Sequence, residues 1–345
     1  MPQVAIIIVH YNSDAETRAC LESLKHVKTD AAEFSVVVVD NGSKEVFDAP
    51  KSQQPVRTVI LRSDTNLGFT SGNNLGIEHA FANFNPDYIC LLNNDTTVDP
   101  AFLNHLVSCL EKNTQAALVT PKIYFSPGRE FHTESYTKAD RGKVIWFAGG
   151  SVSWDDFRAF HRGVDEVDYG QFDQVQSTEF ATGCCMLIRR SVLEQFGLFD
   201  PRYFLYLEDV DLSLRFRHAG YELLLCPDAK IWHVNAGSTG GAGSPLQTYY
   251  QTRNRLFFFS KFSEQRSIFS KSRVPNSLRG DAAVTEQVRA RRSTFRTTLR
   301  VASRAMYDRA RIFKLAWQIF SKGSRSERQA VVDWCLLRMG KRNMM

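Results

Sequence analysis

Two aspartates follow apolar runs in this 345-residue chain, at positions where a carboxylate has no packing role. Asp40 closes the run FSVVVV and precedes Asn-Gly-Ser, so its carboxylate could accept a hydrogen bond from a pyrimidine ring N–H. A simple strand-ending turn is the alternative interpretation. Asp95 follows YICLL and could bind Mg²⁺ or Mn²⁺ beside a nucleoside diphosphate. An Asx turn is the alternative at Asp95, whereas Asp99 is expected to cap the next helix.

Three further carboxylates, Glu208, Asp209 and Asp211, lie within four residues at a predicted helix start. One of them could act as a general base on an acceptor hydroxyl. The helix macrodipole also favours acids in a first turn, and that is the alternative explanation. His233 ends a later strand; a lone histidine is more often structural, but near a diphosphate-bound metal it would favour Mn²⁺ over Mg²⁺.

The segment NLGFTSGNN (66–74) contains two glycines before a predicted helix but does not match G-x-G-x-x-G. The first strand–helix turn also lacks this dinucleotide fingerprint, which counts against a nicotinamide dehydrogenase. Gly68 or Gly72 could allow a ribose or phosphate to approach the backbone closely. An ordinary loop leading into a helix is the alternative.

These residues need a scaffold, and the first 120 positions alternate strand and helix patterns. Continuous apolar runs are typical of parallel strands buried on both faces. A capping-box pattern at Ser13 and Glu16 predicts one helix, and Asp99-Pro100 precedes another. The rhythm indicates an α/β domain with a mostly parallel sheet. The predicted strands are 4–9, 34–39, 56–61 and 88–92, with a helix over about 71–84.

Three of these strands end in polar clusters: HYNS (10–13), DNGS (40–43) and NNDTT (93–97). In open α/β sheets, ligands bind beyond the carboxyl ends of the strands. We therefore expect the three clusters to converge on one crevice.

The second half of the chain is less regular. Residues 121–180 predict a long excursion on an antiparallel edge, followed by a strand at about 184–189. Gly220 is expected to end the helix that begins near Glu208. Pro227 is expected to split ELLLCPDAKIWH into two short strands.

Composition and charge limit the class of protein. With 43% hydrophobic residues the chain can form a sizeable core. Seven cysteines without C-x-x-C spacing argue against a disulfide framework or a zinc site and favour a reducing compartment. The sequence shows neither a signal peptide nor a run long enough to span a bilayer. We expect a cytoplasmic protein, free or peripheral on the inner face of the cytoplasmic membrane.

Taken in order, seven motifs resemble the family-2 glycosyltransferases of the GT-A fold, an α/β Rossmann-like fold with a mostly parallel sheet flanked by helices. The similarity covers about residues 3–260 and is greatest to the rhamnosyltransferase-like branch, which builds bacterial cell-surface polysaccharide. The motifs are HYNS, DNGS, N-x-GF-x-x-GNN, LLNND, ATG-x-CMLIRR, LEDVDLSLR and H-x-x-GS.

The resemblance implies a role for each matching residue. Asp209 would be the catalytic base, with Glu208 beside it, and Asp95 and His233 would bind a divalent cation, Mn²⁺ or Mg²⁺. The other assignments concern the two substrates. Donor binding is implied for Tyr11, Asp40, Gly68, Phe69, Asn93 and Arg253, and acceptor contact for Thr182, Gly183 and Asp211.

One position departs from the family's D-x-D pattern, because Asn93 replaces its first aspartate. An amide can bond a ribose hydroxyl but brings no charge to a cation. The implied reaction is a single in-line displacement with inversion. Rhamnose from dTDP-rhamnose is the expected donor, with galactofuranose or another hexose, or an inactive nucleotide-sugar-binding homologue, as alternatives. A glycan or lipid-linked glycan would be the acceptor.

The chain is predicted to divide into a catalytic domain (1–262) and a basic helical region (263–345). From Arg266 onward it carries 19 Lys and Arg against 5 Asp and Glu. Residues 285–322 mix arginines with aromatic residues and could lie on an anionic membrane. Packing on the catalytic domain or on a second subunit is an equal alternative. Nucleic-acid binding ranks lower because no binding motif accompanies the charge.

Overall fold

The computed structural model describes residues 1–49, 57–235, 243–263 and 308–342. The chain forms two compact units, the first comprising Met1–Ser153, Arg158–Gln247 and Met339–Met345. Trp154–Phe157 and Thr248–Arg338 form the second unit. Much of the basic stretch predicted over 285–322 therefore lies outside the described residues, and the predicted boundary at 262 stays a prediction.

The first half of the chain alternates strands and helices as the sequence predicts. Its elements are β1 (Gln3–His10), α1 (Asp14–Leu24), β2 (Glu33–Asn41), β3 (Thr58–Ser63), α2 (Gly68–Asn83), β4 (Tyr88–Leu92), β5 (Thr96–Val98), α3 (Phe102–Lys112) and β6 (Ala116–Phe125).

Shorter strands dominate the middle of the chain, and helices follow. The elements are β7 (Ile145–Phe147), β8 (Gly150–Ser153), β9 (Arg158–His161), β10 (Gln176–Ser177), β11 (Cys185–Arg189), α4 (Arg190–Phe196), α5 (Glu208–His218), β12 (Glu222–His233), α6 (Pro245–Phe262), α7 (308–322) and α8 (Arg325–Cys335).

Ten of the described strands form one mixed sheet, with the central order β10-β12-β6-β11-β4-β1-β2-β3. Neighbours β4, β1, β2 and β3 run parallel, as do β6 and β12. Strand β11 is antiparallel to both of its neighbours. Strands β5 and β7 pair with β12 and β6, and β8 and β9 form a separate hairpin. The mostly parallel α/β prediction is confirmed.

Full burial holds the central strands in this arrangement. Ile6, Ile7, Val37, Val38 and Leu91 have no exposed surface, so the apolar runs are covered on both faces. Because β4, β1 and β2 are parallel neighbours, the polar clusters that follow them emerge at one edge of the sheet. The predicted convergence is therefore confirmed.

Strand β6 is the main element that the sequence pattern fails to predict. It contains Thr120, Pro121 and Lys122, and its second half falls where the excursion over 121–180 is expected. All ten of its residues are buried. The Lys122 ammonium is fully buried and bonds Asp168 at 2.8 Å and Asp173 at 2.6 Å. Two carboxylates from the excursion thus compensate a cation in the sheet, a pairing that no local pattern reveals.

Two local predictions are wrong. Ser13 precedes α1 but makes no side-chain capping bond; its hydroxyl instead accepts a 2.6 Å hydrogen bond from Asn94 Nδ2. The segment 222–233 is one strand rather than two, with a register irregularity between Cys226 and Lys230 that accommodates Pro227. Gly220 follows α5 with φ +91°, as expected.

The second unit is held together by hydrogen bonds and aromatic contacts. Tyr249 on α6 donates to Asp333 on α8 at 2.6 Å. Arg255 donates to the carbonyls of Asp156 and Phe157 at 2.8 and 2.6 Å. Arg311 on α7 donates to the carbonyl of Asp155 at 2.5 Å. Among the described helices, none combines the length and apolar character that crossing a bilayer requires.

Glycines let helix α2 approach its neighbours. A Cβ on Gly76 would lie 2.5 Å from Ile7 Cγ2, and one on Gly72 would lie 3.1 Å from Val9 Cγ1, so both pack the helix against β1. Gly68 has φ +80°, and its Cβ would lie 2.4 Å from Phe204 Cδ2. In this structure the close approach at Gly68 is therefore to the segment before α5.

Replacing Gly68 by alanine should destabilise the fold more than the same change at Gly128. Both glycines have φ +80°, so both variants incur a left-handed backbone cost of about 1–2 kcal/mol. Only at Gly68 must Phe204 also move, which adds roughly 1–3 kcal/mol. Urea unfolding of the two variants measures the difference, and equal losses of stability would contradict the close packing at Gly68.

Candidate active site

Asp40 lies at the floor of the crevice, at the end of β2. Its carboxylate accepts hydrogen bonds from the amides of Ser43 and Phe47, both at 3.1 Å, and from the Arg62 guanidinium. Burial alone would raise the pKa of Asp40, but these donors outweigh it and lower the pKa below its ordinary value. Asp40 is therefore an anionic acceptor, as contact with a pyrimidine N–H requires.

The three strand-end clusters are joined by polar side chains. Asn94 Nδ2, after β4, donates to Ser13 Oγ at 2.6 Å and to Thr17 Oγ1 at 2.8 Å. The Asn12 amide, after β1, donates to Ser43 Oγ at 3.0 Å. Asn41 Nδ2, at the end of β2, donates to the Gly68 carbonyl at 3.0 Å. The crevice wall is thus a continuous hydrogen-bonded network across three loops.

Asp95 and His233, the two cation ligands that the resemblance implies, lie next to each other. His233 Nε2 lies 3.1 Å from Asp95 Oδ1, and the backbone amide of Val234 donates to the Asp95 carbonyl at 2.8 Å. The His233 ring packs edge-on against Trp146, with centroids 4.5 Å apart. Strand β12 pairs with β5, which begins one residue after Asp95, so the sheet itself aligns the two side chains.

This pair fits two positions of an octahedral cation shell. Ligand atoms about 2.1 Å from a metal and at right angles to each other lie about 3 Å apart, which matches the Asp95–His233 separation. One carboxylate and one imidazole leave positions for phosphate oxygens and water, and the imidazole suits Mn²⁺. Within the described residues, no group of three or more His, Cys, Asp or Glu side chains forms a complete metal site.

Asn93 contributes through its backbone. Its amide donates to the Cys184 carbonyl at 2.8 Å, and its own carbonyl accepts from Thr96 Oγ1 at 2.7 Å. These bonds fix the chain just before Asp95 and leave the half-buried amide side chain of Asn93 at the crevice. Its predicted contact with a ribose hydroxyl stays a prediction.

Asp209 is held by the backbone at the start of α5. Its Oδ2 accepts the Gly183 amide at 2.9 Å, and its Oδ1 accepts the Val210 amide at 2.8 Å. A Cβ on Gly183 would lie 2.9 Å from the Phe69 ring, so a glycine at this position lets the Phe69 ring pack closely against the backbone. Burial raises the pKa of Asp209, although the hydrogen bonds from Gly183, Val210 and Thr182 oppose the shift.

Glu208 and Asp211 occupy different environments from Asp209. Glu208 is buried, its Oε2 has no hydrogen-bond partner among the described residues, and burial raises its pKa well above the ordinary value. Asp211 has no exposed surface and accepts from Tyr203 at 2.9 Å and Arg215 at 3.0 Å. These bonds give Asp211 a role in holding α5; its predicted acceptor contact stays a prediction.

A left-handed segment precedes Asp209, and no sequence pattern predicts it. Phe204, Tyr206 and Leu207 have φ values of 65°, 73° and 68°, a conformation that costs roughly 1–3 kcal/mol for each such residue. The Phe204 carbonyl accepts the amides of Phe69 at 2.8 Å and Thr70 at 3.3 Å. The first amides of α2 are thereby bonded by protein, and the loop is anchored directly before the Glu-Asp pair.

The remaining predicted residues lie as follows. Tyr11 is half-buried directly after β1, beside the crevice loops. Thr182 is buried, and its Oγ1 accepts the Cys184 amide at 3.3 Å. Arg253 belongs to the second unit, where its guanidinium is buried over the Tyr250 ring at 4.9 Å. Its predicted contact with a diphosphate stays a prediction.

Asp95 and Asp209 both raise the pKa of a shared neighbour, the Cys184 thiol. Burial raises the pKa of the Cys184 thiol most, and the carboxylates of Asp95 and Asp209 raise it further. The predicted metal ligand and the predicted base are therefore both near the turn that leads into β11.

Comparison with known proteins identifies the family. A model described as "Glycosyltransferase like family 2" matches residues 2–256, almost three quarters of the chain. The chain belongs to this family. Its activity class is glycosyl transfer, and the resemblance inferred from the seven motifs is confirmed.

Two curated relatives of this glycosyltransferase are similar over most of their length. The low-salt glycan biosynthesis hexosyltransferase of Haloferax volcanii is 26% identical over 272 residues, covering 79% of this chain and 78% of that protein. The N-acetylglucosaminyl-diphospho-decaprenol L-rhamnosyltransferase of Mycobacterium tuberculosis is 25% identical over 277 residues, covering 77% and 86%.

A solved structure supports the fold. The crystal structure of GalNAc-T7 with UDP, GalNAc and Mn²⁺ aligns with a TM-score of 0.54 at 14% identity. The alignment covers 85% of this chain and 55% of that one. At this identity the similarity concerns the fold alone, and the GT-A prediction is confirmed.

Replacing Asp40 by asparagine should lower the free energy of unfolding by about 2–3 kcal/mol, because one acceptor oxygen becomes a donor facing donors. The folded-state pKa of Asp40 is lowered. Its contribution is therefore complete above the ordinary aspartate pKa of about 4 and is lost as the pH falls through the lower folded-state value. Urea unfolding without donor at pH 7 and in acid measures both effects.

Asp14→Asn is the matched control, because Asp14 is half exposed. Its free energy of unfolding should stay within about 0.5 kcal/mol of the value for the unmodified protein. A similar loss in both variants, or a loss at Asp40 that does not shrink in acid, would contradict the assigned role of Asp40.

Proposed function

We propose that this glycosyltransferase transfers a sugar from a nucleotide donor to an acceptor hydroxyl with inversion, using Asp209 as general base. L-rhamnose from dTDP-rhamnose is the leading donor, and a glycan or lipid-linked glycan of cell-surface polysaccharide is the acceptor. The observation that carries the proposal is the Asp209 carboxylate, held by two backbone amides beside Phe69 and with a raised pKa.

Donor binding is assigned to the crevice at the ends of β1 and β2. The pKa of Asp40 is lowered, and the resemblance assigns its carboxylate to a pyrimidine ring N–H, while the half-buried Tyr11 ring lies on the loop after β1. Asn93 is available to bond a ribose hydroxyl. The rhamnosyltransferase name of the Mycobacterium tuberculosis relative supports rhamnose as the sugar.

The reaction requires removal of a proton from the acceptor hydroxyl and neutralisation of the negative charge on the departing diphosphate. Asp209 accepts the acceptor's proton as the hydroxyl oxygen attacks the anomeric carbon, and the bond from that carbon to the diphosphate breaks. A divalent cation bound by Asp95 and His233 would supply charge neutralisation for the departing diphosphate. Asp95 and His233 would hold that cation, and burial, together with the charge of Asp209, raises the pKa of the neighbouring Glu208 well above its ordinary value.

A galactofuranosyl or other hexosyl donor is the second candidate. The imidazole of His233 beside Asp95 favours it, because this position resembles a metal-binding histidine of galactofuranosyltransferases. The Haloferax volcanii relative is named a hexosyltransferase without a specified sugar. An inactive binding protein is the third candidate, favoured by Asn93 in the D-x-D position. A panel of nucleotide sugars, assayed for nucleoside diphosphate release and for sugar transfer, separates the three.

Asp209→Asn should reduce transfer by about 10²–10⁴-fold, because the amide cannot accept the proton. Donor affinity, measured by calorimetry, should change little. In the unmodified enzyme, the raised pKa of Asp209 should move the acid-side loss of kcat/KM above the ordinary aspartate range, because the base must be ionised. Glu194→Gln, at a half-exposed surface ion pair, is the control. Substantial residual transfer by Asp209→Asn would exclude its role as base.

Asp95→Asn and His233→Gln should each weaken Mn²⁺-dependent binding of a nucleoside diphosphate by about 10–100-fold. Calorimetric titration of the diphosphate with and without Mn²⁺ reports this without relying on turnover. Asp99→Asn, at the other end of β5, is the control, because Asp99 Oδ1 accepts the Ala101 amide and an asparagine retains that acceptor. If Mn²⁺ strengthened diphosphate binding equally in all variants, Asp95 and His233 would not be ligands of the cation.

A further inference from the structure

Helix α7 of the second unit presents a row of exposed aromatic side chains. Phe313, Trp317 and Phe320 lie at i, i+4 and i+7, so they share one helical face, and they are 62%, 69% and 41% exposed. Ile312 and Ala316 are buried and mark the packed side of the helix, which is adjacent to the aromatic row. The exposed aromatic row is thus additional to the face that stabilises the fold.

The apolar surface continues past α8. The Phe313 ring contacts Trp334 with centroids 5.4 Å apart, and Leu336 and Leu337 follow at 54% and 77% exposure. We call Phe313, Trp317, Phe320, Leu336 and Leu337 the aromatic patch. A contiguous apolar surface of this kind on a soluble unit is typical of an interaction site.

The sequence around the exposed aromatic row of α7 carries mainly basic charges. The sequence contains no Asp or Glu between Arg309 and Ser326, and Asp308 is buried. Three exposed cations lie along the same stretch: Lys314, Lys322 and Arg325. The partner must therefore offer an apolar phase and negative charge together.

We propose that the aromatic patch docks this glycosyltransferase on the surface of an anionic lipid bilayer. Phe313, Trp317 and Phe320 would enter the boundary between headgroups and acyl chains, where tryptophan is favoured, and Lys314 and Lys322 would contact anionic headgroups. The patch lies beyond residue 256, where the family match ends.

A second copy of the chain fits the patch less well than a bilayer does. A twofold-symmetric contact would bring the same patch of each copy together and place Lys314 and Lys322 against their own counterparts. Like charges at an interface without compensating acids oppose association. A bilayer of anionic lipids supplies the compensating charge.

The test is co-sedimentation of the full chain with vesicles of phosphatidylcholine alone or mixed with phosphatidylglycerol. The unmodified protein should bind the anionic vesicles and release in 0.5 M KCl. The double variant Trp317→Ser/Phe320→Ser should bind about tenfold less or weaker still. Phe160→Ser/Tyr169→Ser, which removes two exposed aromatic residues of the first unit, is the matched control and should bind normally.

A charge variant keeps the proposal falsifiable if the aromatic variant unfolds, which circular dichroism and thermal melting detect. Lys314→Gln/Lys322→Gln should lose about 25-fold in binding to anionic vesicles, since each basic residue near the surface contributes about fivefold. Undiminished binding by both variants, or equal binding to neutral vesicles, would overturn the proposal. So would sedimentation-velocity data showing a vesicle-free dimer that Trp317→Ser/Phe320→Ser dissociates.

Discussion

The complete burial of parallel strands β4, β1 and β2 is the constraint on which the rest of the molecule depends. Strands covered on both faces leave their polar neighbours only one place to lie, beyond the carboxyl ends. Hydrogen bonds donated by Asn94, Asn12 and Asn41 join the loops there. The same loops carry Asp40 and Asp95. The core therefore determines where the chemistry is located before any catalytic residue is considered.

The second half of the site depends on a different device, the left-handed segment before α5. The Phe204 carbonyl bonds the first amides of α2, and Gly68 provides the space for that contact. This attachment joins the donor-side helix to the start of α5, where Asp209 meets the amide of Gly183. Backbone strain is thus concentrated next to the proposed base, where a fixed position matters most.

Opposite environments give the two principal aspartates opposite properties. Donated hydrogen bonds lower the pKa of Asp40, whereas burial raises the pKa of Asp209. A more acidic carboxylate suits recognition of a base N–H, and a less acidic carboxylate suits proton removal. The opposite pKa shifts follow from the donors and the burial around each carboxylate, although the residues are chemically identical.

The sequence by itself determined the α/β class and the three polar clusters at strand ends, because apolar runs and strand-end positions are local features. The pairing of Asp95 with His233 was implied only by the resemblance to the family, since the two residues are 138 positions apart. Tertiary structure alone decided that β6 is a sheet strand, since Lys122 needs carboxylates about 50 residues away. Tertiary structure also decided that the Ser13 hydroxyl accepts a hydrogen bond from Asn94 instead of capping α1, and that Phe204 has a left-handed backbone conformation. These outcomes depend on contacts between distant segments, which periodicity and spacing do not encode.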